Sequence, residues 1–549
     1  MNPMQDSQLS ITAVMHYAER LFGDQEIVSV THDIPRHRYT YRDAFQRVRR
    51  LANALEKLGN GPGDVLGTLA WNDYRHFELY YAISCSGMIC HTINPRLFPE
   101  QIEYIINHAA DRWLFVDPDF IPLLESLQSR LPAVKGYVVL TDAAHMPETT
   151  LRNVICYETL VGAESDRFVW PELAETTPSA LCYTSGTTGN PKGVLYTHRS
   201  TILQCYATST PNAFAVSASD TVMPLVPMFH ANGWSLVYSC PMNGAKLVLA
   251  GGKAGDGEIV AELIASETVT FTAGVPTVLG ALLRHTRENE ITLESLERVG
   301  VGGAACPAAI YDEFKSRHGA RVQQGWGMTE LNPIASYNAA TPQQTAGLSA
   351  EEAKTRALKQ GRLLFGIDLK VVDDNNQELP WDGRSAGSIK VRGPWVIQQY
   401  FRHEQSTTDD DGWFDTGDIG TMDQCGYLQI TDRSKDVIKS GGEWISSIEL
   451  ENLAMSHLDV LEAAVIGLSH PTWTERPLLL VVLNDDSTLT SGQLLAWFEG
   501  KVAKWWIPSD CVIVESLPHT ATGKLSKKDL RDAFRGYTWG MQSEPEETS

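Results

Sequence analysis

The chain has 549 residues, 43% of them hydrophobic and 20% charged, which is the composition of a globular protein too long for a single core. Its formal net charge of -22 leaves no basic excess to replace phosphate counterions, which argues against nucleic-acid binding. We expect no transmembrane segment and no signal peptide, because the apolar stretches are too short and the N-terminus lacks a basic flank. Nine cysteines without a C-x-x-C pair suit a reducing compartment, so we expect a cytoplasmic protein.

The first part of the chain alternates helical and strand-like segments. Apolar spacing predicts helices at residues 41–55, 74–89 and 259–267, and short apolar runs predict strands at 65–71, 113–117, 245–250 and 269–273. Strand, helix and strand of these lengths form βαβ units. We therefore expect an α/β fold with parallel-type sheets.

The pattern changes near residue 385. Residues 387–394 and 426–431 are short strand-like runs bounded by turn residues, which favours an antiparallel subdomain. The charged run 432–436 then precedes a new αβ series. We predict a large N-terminal domain at 1–432 and a small, mobile α+β C-terminal domain at 433–549.

The most informative segment is Tyr183-Thr-Ser-Gly-Thr-Thr-Gly-Asn-Pro-Lys-Gly193. Its glycines let backbone N–H groups approach an anion, and its hydroxyls and Lys192 add donors and positive charge. The order of residues differs from the Walker A pattern, because the lysine follows a proline and precedes a glycine. A phosphate-binding loop at a strand end is the prediction, and a plain surface turn is the alternative.

Further glycine-rich segments carry weaker signals. In Gly325-Trp-Gly-Met-Thr-Glu330 the aromatic ring can stack on a base, while Thr329 and Glu330 can reach phosphate and a divalent cation. A packed turn explains this segment as well. Residues 301–305 form a second glycine-rich strand end, where a flat base could lie close to the backbone.

Polar residues late in the chain form further candidates. Asp418 in a tight turn suits ribose hydroxyls, although an Asx turn is the commoner explanation, and Arg433 is a second donor candidate. Lys524 lies on a glycine-containing loop before a predicted helix, and a solvated lysine is the alternative there. His230 and Trp234 lie four residues apart and share a face if the segment is helical, as pocket or as core residues.

Taken together and in order, these motifs resemble the adenylate-forming superfamily of acyl-CoA synthetases, luciferases and peptide-synthetase adenylation domains. The similarity extends over residues 10–535. Residues 226–230, 271–277 and 438–446 are in the style of the fatty-acyl-CoA synthetase branch, and residues 71–76 and 91–97 resemble bacterial 3-methylmercaptopropionate-CoA ligases.

The resemblance implies a chemistry and a set of roles. A carboxylic acid reacts with ATP to give acyl-AMP and pyrophosphate, and the thiol of CoA then displaces AMP. Catalytic roles fall on Lys524, Thr184, Glu330 and His230, and Mg²⁺ on Thr184 and Glu330. Binding of ATP and AMP is assigned to Thr184, Ser185, Gly186, Thr187, Thr188, Gly189, Lys192, Gly303, Ala304, Ala305, Gln324, Gly325, Trp326, Gly327, Met328, Thr329, Asp418, Arg433 and Lys439.

The remaining implied sites concern the acid, CoA and domain motion. His230, Trp234 and Gly302 are assigned to the acyl pocket, and Lys435 to the hinge between the domains. The CoA tunnel is assigned to Gly441, Gly442, Glu443 and Trp444. A homodimer is a further expectation from the resemblance.

The resemblance leaves the substrate and the acceptor open. Short-to-medium acids such as 3-methylmercaptopropionate are favoured, with medium or long fatty acids as the alternative. Loading of a separate carrier protein, luciferase chemistry, and a degenerate binding or sensor protein also stay open. A degenerate protein is expected to have lost Lys524, Glu330 or the loop glycines, and all are present.

Overall fold

A computed structural model describes residues 4–184, 190–339, 345–440, 443–470, 472–484, 487–519 and 525–539. Its strands are β1 Glu26–Ser29, β2 His37–Thr40, β3 Val65–Leu69, β4 Ile89–Thr92, β5 Trp113–Val116, β6 Gly136–Val139, β7 Val154–Cys156, β8 Pro178–Tyr183, β9 Gly193–Thr197, β10 Thr221–Pro224, β11 Lys246–Leu249, β12 Phe271–Gly274, β13 Arg298–Val301, β14 Arg321–Gly327, β15 Ile334–Tyr337, β16 Arg362–Leu363, β17 Asp368–Val372, β18 Gly387–Arg392, β19 Phe414–Met422, β20 Leu428–Arg433, β21 Ile438–Ser440, β22 Glu443–Ile445, β23 Val460–His470, β24 Thr474–Leu483 and β25 Asp510–Ile513.

The α-helices in the described residues alternate with many of these strands. They are α1 Ile11–Leu21, α2 Tyr41–Lys57, α3 Tyr74–Cys85, α4 Pro99–Ala109, α5 Ile121–Leu127, α6 Tyr157–Gly162, α7 His198–Ser209, α8 Leu236–Asn243, α9 Gly257–Glu267, α10 Pro276–Glu288, α11 Ala308–His318, α12 Ala350–Ala357, α13 Ser447–Met455, α14 Ser491–Trp497 and α15 Lys527–Ala533. None of the described helices is long and apolar enough to cross a bilayer.

The chain divides into two compact units. The first comprises Met1–Cys306, Ile310–Leu369 and Val391–Phe414, and the second comprises Pro307–Ala309, Lys370–Lys390 and Asp415–Ser549. The predicted domain boundary between residues 432 and 433 stays a prediction.

Two large sheets form the first unit. One has nine strands in the order β16-β15-β14-β13-β12-β10-β11-β1-β2, and the other has seven in the order β7-β6-β5-β3-β4-β8-β9. Strands β11, β10, β12, β13 and β14 are parallel, while the edge pairs β1–β2 and β8–β9 are antiparallel. The predicted α/β class with parallel sheets is therefore confirmed.

Helices α9 and α10 pack on the nine-stranded sheet and bury its central strands. Leu263, Leu279 and Leu282 belong to one core cluster with Val299 and Val301. The first helix is capped by the Asp256 carboxylate, and the second begins at a proline, which suits the first turn of a helix. This packing holds strands β10, β12, β13 and β14 side by side.

Because these four strands are parallel, the segments that follow them leave from the same edge of the sheet. In register, Pro224 lies beside Ala273, and Val301 lies beside Gln324. Residues 225–234, 302–305 and 328–330 follow three of these strands. In open α/β sheets this edge is where ligands bind.

Two further sheets complete the fold. One has the order β17-β18-β19-β20, in which β19 and β20 are antiparallel, as predicted for the subdomain. The other joins β22-β21-β24-β23, with β25 parallel to β24. Alternate residues of β24 enter different clusters, Leu479 in one and Leu480 in the other, so both faces of this sheet are covered.

One predicted element is wrong at its end. The helix predicted at 74–89 stops at Cys85, and Ile89 begins strand β4. Gly87 adopts a φ of 76°, a left-handed conformation that ends helices readily at glycine. Apolar residues continue through the turn into the buried strand, and the periodicity of the sequence therefore hides this boundary.

Candidate active site

The base of the glycine-rich loop is closed by reciprocal hydrogen bonds. The Thr184 N–H donates to the Lys192 carbonyl at 2.9 Å, and the Lys192 N–H donates to Thr184 Oγ1 at 3.3 Å. Both residues extend the antiparallel pair β8–β9. The segment therefore starts and ends at strand ends, as predicted, while Ser185, Gly186, Thr187, Thr188 and Gly189 lie outside the described residues.

Tyr400 links this loop to Glu330. The Lys192 ammonium lies 4.8 Å from the centroid of the Tyr400 ring, and the Tyr400 hydroxyl donates to Glu330 Oε1 at 2.8 Å. Burial and the adjacent Glu330 carboxylate both raise the pKa of Tyr400, so the phenol stays protonated as a donor. No glycine-rich motif surrounds Tyr400, and the sequence alone therefore does not reveal it as a site residue.

The segment after β14 is held from both sides. Backbone N–H of Ile397 donates to the Glu330 carbonyl at 2.8 Å, and the Tyr196 hydroxyl donates to the Thr329 carbonyl at 2.6 Å. Thr329 and Glu330 are both buried. Since Tyr196 lies on β9 of the seven-stranded sheet and Thr329 follows β14 of the nine-stranded sheet, this bond joins the two large sheets.

The glycines of this segment are required because backbone or side-chain atoms lie close to them. A Cβ at Gly327 would lie 1.8 Å from the Pro333 carbonyl oxygen, and one at Gly325 would lie 2.9 Å from Cδ2 of Tyr337. Trp326, between them, is a buried strand residue in register with Ser336. Strand β14 therefore continues into this motif as far as Gly327.

The loop after β13 lies against Trp234. A Cβ at Gly302 would lie 2.8 Å from Cη2 of the Trp234 indole, so glycine provides the room for this ring. Gly303 has a φ of 80°, while Ala304 is exposed and Ala305 half-buried. The Gln324 side chain accepts from the Cys306 N–H at 3.3 Å, which ties the end of this loop to β14.

Asn72 holds the turn after β10. Its amide donates to the Val226 carbonyl at 2.8 Å, and its Oδ1 accepts from the Met228 N–H at 2.6 Å. The Tyr80 hydroxyl donates to the Met228 carbonyl. These buried groups fix the backbone that leads to His230, which is half-buried.

His230 and Trp234 do not share the face of an α-helix. Residues 231–235 form a short turn in which every φ is positive, from 46° at Ala231 to 59° at Ser235. A left-handed turn costs about 1–2 kcal/mol for each non-glycine residue. Asn232 Oδ1 accepts from the Cys182 thiol at 3.2 Å, and such contacts offset the strain.

In the second unit, Asp418 and Arg433 form an ion pair. They are opposite each other on β19 and β20, and Arg433 Nε lies 2.8 Å from Asp418 Oδ1. Asp418 is buried, whereas the side chain of Arg433 is 45% exposed. Lys435 and Lys439 are exposed, and the Lys439 N–H donates to Glu475 Oε2 at 2.9 Å.

Some predicted site residues are not described. Gly441, Gly442 and Lys524 lie outside the described residues, and for Glu443 and Trp444 the structure gives only the backbone of β22. The loop with Lys524 starts and ends at a β-bridge between His519 and Leu525.

In the first unit, therefore, a cation and a carboxylate meet beside a glycine-rich loop. Lys192 and Glu330 both contact Tyr400, and Thr184 closes the loop base. Cations and backbone N–H groups suit polyphosphate, while hydroxyl and carboxylate oxygens suit a hard divalent cation. This donor set fits a nucleoside triphosphate better than a metal redox centre.

Comparison with known families agrees with this donor set. Residues 18–401 match the family described as AMP-binding enzyme, and residues 449–524 match the AMP-binding enzyme C-terminal domain. The chain belongs to the AMP-binding, adenylate-forming enzymes, and the resemblance drawn from its motifs is confirmed.

Within this family the chain is an acyl-CoA ligase. It is 46% identical to a medium-chain-fatty-acid–CoA ligase of Ectopseudomonas oleovorans, over 97% of both chains. It is also 46% identical to a 3-methylmercaptopropionyl-CoA ligase of Ruegeria lacuscaerulensis, over 97% of this chain and 98% of the other. An anthranilate CoA ligase solved with anthranoyl-AMP superimposes with a TM-score of 0.85 at 26% identity, over 96% of this chain and 99% of the other.

Proposed function

We propose that this ligase converts short-to-medium acyl acids, including 3-methylmercaptopropionate, into acyl-CoA with ATP and Mg²⁺. The carboxylate attacks the α-phosphate, so that a new acyl oxygen–phosphorus bond forms as pyrophosphate leaves. The CoA thiol then attacks the acyl carbon and AMP leaves. Neither step needs a covalent enzyme intermediate, and positioning and charge neutralisation therefore carry the catalysis.

The observation that carries this proposal is the contact of Tyr400 with both Lys192 and Glu330. It joins a lysine and a carboxylate through one tyrosine beside the base of a glycine-rich loop, and this arrangement supports a phosphate site there. In the proposed complex, backbone N–H groups of residues 184–192 hold the β and γ phosphates, and Lys192 neutralises their charge. The base would lie at residues 303–305 and Trp326, beside the same sheet edge.

The residues present fit Mg²⁺. Thr184 offers a hydroxyl oxygen and Glu330 a carboxylate, and both are oxygen ligands. Mg²⁺ prefers such oxygen ligands together with substrate phosphates, and when bound it neutralises charge on the leaving pyrophosphate.

The second unit holds the remaining residues of the proposed mechanism. Asp418 accepts hydrogen bonds from the ribose hydroxyls. Arg433, whose Nε lies 2.8 Å from Asp418 Oδ1, orients that carboxylate. Lys524 contacts the carboxylate and phosphate oxygens in the first step, and rotation about Lys435 then withdraws it. Residues 441–444 line the CoA tunnel after that rotation.

The preference for shorter acids is supported by the contact between Trp234 and Gly302. A buried indole that fills the space above a glycine limits the depth left for an acyl chain. The relatives named above act on 3-methylmercaptopropionate and on medium-chain fatty acids, which brackets the proposed range. His230, at the start of the same turn, lies at the pocket entrance in this proposal.

Mass spectrometry of products from a graded panel of acids tests the proposal. The panel runs from propionate and 3-methylmercaptopropionate to palmitate, each with ATP, Mg²⁺ and CoA. The proposal predicts thioesters that are strongest for short and medium acids. A maximum at palmitate would instead establish the long-chain alternative. Acyl-AMP without thioester would point to a separate carrier protein as the acceptor.

The cellular setting is part of the same proposal. We expect a cytoplasmic protein, because its nine cysteines include no C-x-x-C pair, and a homodimer, which is an expectation from the family resemblance alone. Light scattering coupled to size-exclusion chromatography measures the mass in solution. One chain has a mass of 60.7 kDa, so that value would show a monomer and contradict the dimer.

A further inference from the structure

Helix α15 is tied to the segment around the proposed hinge by two basic side chains one turn apart. Lys527 Nζ lies 2.8 Å from Glu451 Oε1 and also donates to the Ser447 hydroxyl. Arg531 Nη1 lies 2.7 Å from Asp436 Oδ1. Both contacts lie within the second unit.

The contact of Lys527 continues to Asp432. The hydroxyl and the backbone N–H of Ser447 both donate to Asp432 Oδ2, the latter at 2.7 Å. The other carboxylate oxygen accepts from the Arg433 N–H at 2.8 Å. Lys527, Ser447 and Asp432 thus form a continuous hydrogen-bonded chain, with Glu451 as the second carboxylate.

This Lys527 cluster is buried. Ser447 and Asp432 are 0% and 1% exposed, and the side chain of Lys527 is 10% exposed. Burial disfavours the charge on Lys527, but the Glu451 and Asp432 carboxylates outweigh it and raise the pKa of this lysine. The buried ammonium is therefore held in one position by the groups that keep it charged.

The cluster has a specific place relative to the proposed catalytic parts. Asp432 is three residues before the hinge residue Lys435, and Lys527 is three residues after Lys524. Ser526, which lies between Lys524 and Lys527, is held as well, because its N–H donates to the Pro518 carbonyl at 2.8 Å. One end of the cluster is thus attached to the hinge and the other to the loop of Lys524.

We propose that Lys527 is a positioning residue for adenylation, which holds the start of α15 against the segment before the hinge and thereby sets the place of Lys524 in that step. This inference rests on the proposed roles of Lys524 and Lys435. It adds a residue that touches no substrate and acts through Lys524. Displacement of a catalytic group by about 1 Å costs on the order of 100-fold in rate.

The test measures the two half-reactions separately in Lys527→Met. Adenylation is followed by exchange of labelled pyrophosphate into ATP, and thioester formation is followed from prepared acyl-AMP and CoA. We expect the kcat of exchange to fall about 10- to 100-fold, with KM values for ATP and acid within about 2-fold of wild type. Lys527→Arg, which keeps the charge, should recover most of the rate.

Matched variants separate positioning from folding. Lys528→Met changes the exposed neighbour on the same helix and should leave exchange unchanged. Ser447→Ala removes only the hydroxyl between Lys527 and Asp432, and should lower exchange even if Lys527→Met is recovered unfolded. In a Lys524→Ala background, Lys527→Met should cause no further loss, because positioning acts through Lys524 alone.

The outcomes are distinguishable. Normal exchange in both Lys527→Met and Ser447→Ala, or an additive loss in the double variant, overturns the inference. If Lys524→Ala itself retains exchange, the proposed role of Lys524 fails, and the inference fails with it. An inactive Lys524→Ala beside a fully active Lys527→Met leaves the proposed function intact and removes only the positioning role.

Discussion

The Tyr400 hydroxyl donates to Glu330 Oε1 at 2.8 Å while its ring lies beneath the Lys192 ammonium. One side chain thereby sets the spacing between the carboxylate and the cation of the proposed ATP site. The contact joins a loop residue to the segment after β14 and to the segment before β9, two elements far apart in sequence.

Tyr400→Phe removes the hydroxyl and keeps the ring. We expect about 10-fold or greater loss in the kcat of adenylation, since a hydrogen bond to a charged group contributes about 1.5–3 kcal/mol. Pyrophosphate exchange at varied Mg²⁺ concentration measures the rate of adenylation. We expect the variant to need more Mg²⁺ than wild type for half-maximal exchange. Tyr206→Phe, at a 55% exposed tyrosine, is the control. Equal activity of both variants would remove Tyr400 from the site.

Gly302→Ala tests the contact with Trp234. The added Cβ would lie 2.8 Å from the indole, and overpacking of this kind costs about 1–3 kcal/mol. We expect lower kcat/KM for all acids. Gly280→Ala is the control, because a Cβ there meets no atom within 4 Å.

Trp234→Ala tests the depth of the pocket from the opposite direction. Removal of the indole should move the maximum of kcat/KM toward longer acids in the same panel. The double variant Gly302→Ala/Trp234→Ala should be more active than Gly302→Ala alone, because the added methyl group no longer meets the indole. An unchanged optimum would show that another part of the chain limits acyl length.

Asp418→Asn tests the proposed ribose contact. Wild type should discriminate against 2′-deoxy-ATP and 3′-deoxy-ATP, since each lacks a hydroxyl that donates to the carboxylate. The variant should lose about 10-fold in kcat/KM for ATP and show little further loss with the deoxy nucleotides. Asp374→Asn, at an exposed carboxylate, is the control. Undiminished discrimination in Asp418→Asn would place the ribose elsewhere.

The sequence predicted the elements whose signals are local. The glycine-rich loop, the helix that begins at Tyr41 and the Gly325–Glu330 motif are visible because glycine, capping and periodicity act over a few residues. Tyr400 and Asn72 are not visible in this way. Their roles depend on contacts with residues 70 and 156 positions away, which only the packed sheets bring together.

The left-handed turn at residues 231–235 was hidden for a related reason. Gly233 and, to a smaller degree, Asn232 tolerate positive φ, but their neighbours do not, so the local sequence does not predict the conformation. Bonds from Cys182 and Tyr80 to the Asn232 side chain, both from other elements, stabilise it. The alignment of His230 with Trp234 on one face was conditional on a right-handed helix, and this turn does not meet that condition.

We expect the protein to lose stability in acid, because the imidazole of His76 is buried. Burial lowers the pKa of His76 from 6.5 to about 4, and its ring contacts Thr68 and the Trp71 carbonyl. The unfolded chain therefore binds a proton at higher pH than the folded one. The contribution of His76 to the free energy of unfolding is fully present above pH 6.5. We expect about 3 kcal/mol of it to be lost as the pH falls toward about 4.

Thermal midpoints measured across this pH range check the prediction. His76→Gln should flatten the decline, while His32→Gln, at an exposed histidine, should leave it as in wild type. A decline of equal slope in His76→Gln would assign the acid sensitivity to other groups, such as buried His198, whose pKa burial also lowers to about 4.

The most direct test of activation through acyl-AMP is the fate of a carboxylate oxygen. The enzyme is given ATP, CoA and an acid labelled with ¹⁸O in its carboxylate, and the products are weighed by mass spectrometry. Attack of the carboxylate on the α-phosphate predicts AMP that carries one labelled oxygen, together with acyl-CoA that retains the other. Unlabelled AMP, or label in inorganic phosphate with ADP as the nucleotide product, would contradict activation through acyl-AMP.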